Sequence, residues 1–74
     1  MDKKAMGNKL RSLRKARNKT VVEVASACGI SKSALTMYEN GERVPRDEVK
    51  MRLANYYKRT VQTIFFTNLT HKSE

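Results

Sequence analysis

The chain has 74 residues, with 16 Lys and Arg against 7 Asp and Glu and a formal net charge of +9. A chain this short makes at most one domain and buries only about 60% of its unfolded surface, which excludes a large enzyme core. Its single cysteine excludes an intrachain disulfide, and Cys28 with His71 falls short of a four-ligand zinc site. Closely packed helices, alone or with a second subunit, are left to stabilise it.

In chain order, the first apolar stripe is Met6, Leu10, Leu13 and Ala16–Arg17, at the spacing of a basic helix, with residues 1–5 read as a flexible basic arm. Gly7, Gly29, Gly41 and Pro45 punctuate the pattern. Asn18 suits the end of the first helix. Thr20-Val21-Val22-Glu23 has the form of a capping box and predicts a helix start. Val21, Val24, Ala25 and Cys28 give that short helix one apolar face, and Gly29 stops it. Ser31 is placed to cap a third helix, whose buried side is Ala34, Leu35 and Tyr38. Asn40-Gly41 ends it.

Pro45 followed by Asp47 and Glu48 reads as a fourth start, with acidic residues near the positive end of the helix dipole. Val49, Leu53, Ala54 and Tyr57 form its inner face. Thr60 caps a last short helix with Val61, Ile64 and Phe65. Residues 67–74 form a polar tail. The expected core is Leu10, Leu13, Val24, Ala25, Cys28, Ile30, Leu35, Tyr38, Val49, Leu53, Ala54, Tyr57, Val61, Ile64 and Phe65, an all-α arrangement of five helices.

The charge is uneven. Residues 1–20 carry a net +7, residues 21–49 a net −2 and residues 50–74 a net +4. Such an excess asks for an anionic partner, with nucleic acid first and an anionic membrane surface second. The first helix has a narrow apolar stripe without Trp or Phe, which suits a membrane surface poorly. The longest uninterrupted apolar run is Ile64-Phe65-Phe66, far below the roughly 20 residues of a span, and no apolar segment follows the basic start. A cytoplasmic protein in a reducing compartment, associated with the nucleoid, is expected. Ser31, Ser33 and the carboxylates form no nucleophile–base arrangement, so neither enzyme activity nor a cofactor or metal is expected.

From Thr20 to Tyr38, two short helices joined by a glycine turn have the form of a helix-turn-helix. Outward on its second helix lie Ser31, Lys32, Ser33, Thr36 and Met37, mostly short or flexible side chains suited to a groove. The segment Ala25…Gly29-Ile30-Ser31-Lys32-Ser33-Ala34-Leu35-Thr36-Met37-Tyr38-Glu39-Asn40-Gly41-Glu42-Arg43-Val44-Pro45 resembles the Cro/C1-type, lambda-repressor-like family of phage and bacterial regulators. Asn8-Lys9-Leu10-Arg11-Ser12-Leu13-Arg14 is similar to its first helix. Val49…Leu53-Ala54…Tyr57…Val61…Ile64-Phe65 is similar to its fourth and fifth. The resemblance covers residues 6–66, the expected DNA-binding domain.

The resemblance implies a transcriptional regulator that binds double-stranded DNA, a repressor acting as a homodimer on a palindromic operator. It implies that Lys32, Ser33, Thr36 and Met37 face base edges, Lys32 reading guanine and Met37 touching a thymine methyl. Lys19, Thr20, Ser31, Asn40, Arg43 and Arg46 are the implied backbone contacts. Arg14 and Glu39 occupy positions that form an ion pair in relatives, and Tyr56 with Phe66 are candidates for the dimer contact. Relatives commonly place glutamine where Val21 stands. Valine cannot hold a phosphate, so either that contact is absent or Lys19 replaces it. Most of the positive excess, on the first and last helices, is expected to flank the groove and touch the backbone. The rival reading is an antitoxin-like or anti-repressor module that acts through a protein partner, a repressor or a toxin.

Overall fold

Asp2 sets where the chain begins its first helix. In the computed structural model, which describes residues 2–66, its carboxylate accepts from the Lys4 and Ala5 amides at 3.0 and 3.1 Å. An acidic cap of this kind satisfies orphan donors at the positive end of a helix. Helix α1 therefore runs Lys3–Ala16, and residues 3–5 of the expected arm are its first turn. Helices α2 (Val21–Cys28), α3 (Lys32–Glu39), α4 (Asp47–Tyr57) and α5 (Val61–Phe65) follow, with no strand among the described residues. The polar tail, including His71, lies outside the described residues.

The capping chemistry explains most helix starts. Thr20 Oγ1 accepts from the Glu23 amide at 3.1 Å while Glu23 Oε1 accepts from the Thr20 amide at 2.8 Å. Ser31 and Thr60 accept from the Ala34 and Thr63 amides, both at 3.0 Å. Gly29 closes α2 in the left-handed region with φ 70°, a conformation that glycine adopts without a Cβ penalty. Pro45 stands just outside α4, which begins after Arg46 without a side-chain cap.

Helix α1 packs chiefly on α3 and also on α5; α2 packs on α3 and α4, and α4 on α5. Leu10, Val24, Leu35, Leu53, Tyr57 and Ile64 are fully buried at the centre. Met6 joins the core as well, because the helix that carries it begins early. Ile30 and Val61 are only partly buried, since they sit at an inter-helix turn and in the first turn of α5. Ala16, at the end of the first apolar stripe, is exposed.

Gly7 does not punctuate the chain. It is buried in the interior of α1, where a Cβ would collide with the Glu39 carbonyl oxygen and stand 2.8 Å from that of Tyr38. The missing side chain lets α1 lie directly against the C-terminal end of α3, and so fixes where α3 ends relative to the rest of the domain.

Arg17 and Lys50 are cations used inside the fold. Arg17 donates to the Tyr57 carbonyl at 2.7 Å and lies over the Tyr57 ring. Lys50 is buried, with Nζ 3.8 Å from Asp47 and 4.9 Å from the centre of the Phe66 ring. Tyr56 and Phe66 are half-buried and pack against the core of the same chain. The Tyr57 hydroxyl is buried with no hydrogen-bond partner among the described residues, and burial holds its ionisation well above the ordinary phenol range.

Candidate nucleic-acid interface

Helix α3 divides cleanly. Leu35 and Tyr38 turn into the core with Ala34 partly covered, while Lys32 and Ser33 are exposed and Thr36 and Met37 half-exposed. Residues at i, i+1, i+4 and i+5 share one side of a helix, so these four make a single outward strip. Eight residues give it a length of about 12 Å, enough to cross part of a major groove. The Ser31 hydroxyl caps the helix through its oxygen, which leaves its proton free to donate.

The backbone candidates fall in three places. Lys19 and Thr20 are exposed at the start of α2. Thr20 spends its oxygen on the capping box, and the Lys19 carbonyl accepts from Arg14 Nη1 at 3.0 Å. Ser31, Arg43 and Arg46 line an open groove of about 450 Å³ between the α2–α3 turn, the α3–α4 loop and α4. Arg52 joins them there, and sequence reasoning missed it because nothing local distinguishes it from Lys50 on the same helix. Asn40 stands apart at the C-terminal end of α3, tied to α1.

That tie belongs to a charged brace. Arg14 Nε and Nη2 donate to the two oxygens of Glu39 at 2.8 and 2.9 Å, a two-pronged pair. The Glu39 side chain is only 3% exposed and that of Arg14 13%. The bond to Glu39 raises the already high Arg14 pKa, so the guanidinium stays charged. Arg11 Nε approaches Glu39 Oε1 at 3.7 Å, and its Nη2 donates to Asn40 Oδ1 at 2.6 Å. Sequence reasoning also missed Arg11. Its signal was the position one turn before Arg14, which puts both on one side of α1.

Cys28 is buried among apolar neighbours, and burial pushes its thiol up, away from the reactive thiolate. Among the described residues no group of three or more His, Cys, Asp and Glu is placed to hold a metal ion. No described helix is long and apolar enough to cross a membrane.

A family model described as a helix-turn-helix domain matches residues 5–63. Two crystal structures of the clp gene regulator ClgR from Corynebacterium glutamicum share the fold, with TM-scores of 0.78 and 0.81, each at 22% identity. They cover 99% and 96% of this chain and 95% and 76% of their own. A transcriptional regulator of the HTH_3 family from Vibrio cholerae matches at TM-score 0.80 and 27% identity; 99% of this chain covers 41% of that longer one. A search of curated proteins found no significant sequence match.

Proposed function

The chain belongs to the helix-turn-helix family matched across residues 5–63, whose fold serves DNA-binding transcriptional regulators, and from that premise we propose that α3 is the base-reading helix of a sequence-specific regulator of Cro/repressor type. The observation that carries this is the outward strip of Lys32, Ser33, Thr36 and Met37 on a rigidly capped, braced α3. Lys32 is the reader of guanine, and its loss costs about 1–3 kcal/mol of discrimination at one base pair. Ser31, Arg43, Arg46 and Arg52 hold phosphates on one flank. Lys19 and Thr20 hold them on another.

The protein works as a homodimer on a palindromic operator in the cytoplasm, with Tyr56 and Phe66 at the dimer contact and the two α3 helices about 34 Å apart. Selection from a random duplex pool tests the reading. Recovered sequences should contain an inverted repeat. Affinity for them should fall about 10³–10⁵-fold between about 50 and about 200 mM salt, for roughly six to ten phosphates neutralised. Salt-insensitive binding with no sequence preference would sink the operator reading and favour a module that acts through a protein partner.

A further inference from the structure

We propose that Arg11 is a positioning residue for DNA, holding the Asn40 carboxamide so that it presents only donors to a backbone phosphate. The proposal rests on the DNA-binding reading of α3 and deepens it. Asn40 is exposed and follows directly on the C-terminal end of α3. A carboxamide has an acceptor end and a donor end, and either may face a given neighbour. Arg11 removes that freedom. A guanidinium carries donors only, so the Asn40 atom it meets at 2.6 Å is Oδ1. With Oδ1 so engaged, the NH₂ group does not face Arg11, and it makes no hydrogen bond among the described residues.

Arg11 is itself held. Its Nη2 also approaches the Glu39 carbonyl at 3.4 Å, and its Nε lies 3.7 Å from the Glu39 carboxylate that Arg14 fixes. The brace Arg14–Glu39–Arg11–Asn40 thus runs from the core-packed first helix to the edge of the reading helix. Charge argues the same way. The end of a helix carries partial negative charge, which opposes a phosphate. The half-exposed Arg11 cation stands at that end and offsets it. A site made of Nδ2 protons beside a guanidinium suits a ligand that only accepts. A phosphodiester oxygen fits that requirement, whereas base edges in the major groove mix donors and acceptors.

A thermodynamic cycle separates positioning from bracing. Affinity for a duplex selected by the wild-type protein is measured for Arg11→Met, Asn40→Ala and the double variant. Each single change should weaken binding about tenfold, and Arg11→Met should cost no more than about threefold once Asn40 is already Ala. Equal losses in both backgrounds would overturn the proposal. Asn40→Asp keeps an acceptor for Arg11 but removes both donors. It should melt at or above the wild-type temperature and yet bind at least tenfold more weakly, by about the same reckoning. Wild-type affinity in Asn40→Asp would also overturn the role. If Arg11→Met does not fold, Arg11→Lys takes its place in the cycle, since it keeps the charge and loses the fork. Failure of the wild-type protein to select any duplex would overturn the DNA reading itself, whereas binding with an additive cycle overturns only the part given to Arg11.

Discussion

Replacing Arg14 by alanine removes one half of an ion pair whose other half has almost no access to water. Glu39 is 3% exposed and receives both of its short bonds from Arg14. Breaking a buried pair from one side costs about 3–5 kcal/mol, because the remaining charge is left unsolvated. Arg11 stays within 3.7 Å of one Glu39 oxygen and softens the loss, so the low end, about 3 kcal/mol, is expected. For a domain of this size that corresponds to a fall in melting temperature of roughly 12–24 °C. Far-UV circular dichroism melts of wild type and Arg14→Ala measure it directly. The paired replacement Arg14→Met with Glu39→Leu should recover most of the loss, since two matched apolar groups leave no stranded charge. The Arg14→Ala protein, assayed well below its melting point, should also bind DNA more weakly, because Glu39 then no longer holds the end of α3. A fall of less than about 4 °C would place the pair with exposed ion pairs, worth about 0–1 kcal/mol, and refute the argument from burial.

Gly7→Ala should destabilise by about 1–3 kcal/mol, against the usual gain of about 1 kcal/mol for this change in a helix, because the new Cβ meets the Glu39 carbonyl. A higher urea midpoint would show that α1 and α3 separate freely. Glu23 is held below the ordinary carboxylate range, chiefly by the Thr20 amide, so its contribution is complete above the ordinary value and fades as pH falls through the lowered folded-state value. Wild-type melting temperature should therefore drop more steeply in acid than that of Glu23→Gln, and parallel curves would dismiss the capping carboxylate as a source of pH dependence. Tyr57→Phe removes a buried hydroxyl that has no partner among the described residues, and should leave the melting temperature unchanged or raise it by a few degrees, about 1 kcal/mol at most. A loss of that size would show that the hydroxyl is satisfied.

What was legible in the sequence follows the range of each interaction. The caps at Thr20, Ser31 and Thr60 could be read because a cap and the amide it satisfies lie within one turn. The outward strip of α3 was legible for a similar reason, as helical spacing alone separates it from Leu35 and Tyr38. Asp2 precedes any apolar pattern, so its capping role is not legible in the sequence and the expected arm extends into what is the first turn of α1. Gly7 looks like punctuation because a glycine that admits another helix resembles, in sequence, one that ends its own. Arg11 and Asn40 lie 29 positions apart, so only the packing of α1 on α3 reveals their contact. Residues 14 and 39 were paired through family resemblance, for no local pattern joins them.

The net charge changes meaning once its members are placed. The expectation that the basic first helix flanks the groove treats its cations as equivalent, and they are not. Arg14 is committed to Glu39, Arg17 to the Tyr57 carbonyl and ring, and Lys50 to Asp47 and two phenylalanine rings. These three positive charges hold helices together. Arg11 is divided between the brace and solvent. Exposed Lys3, Lys4, Lys15, Lys19, Lys32, Arg43, Arg46, Lys58 and Arg59 are, among the described residues, the charges free to meet phosphate, and exposed Arg52 is shared with Glu48. Counterion release depends on phosphates neutralised and not on formal charge, so the salt dependence of binding should track substitutions in this second group. Neutralising Lys19 or Arg43 should lower the slope by about one each, whereas neutralising Arg17 should lower stability and leave the slope nearly unchanged.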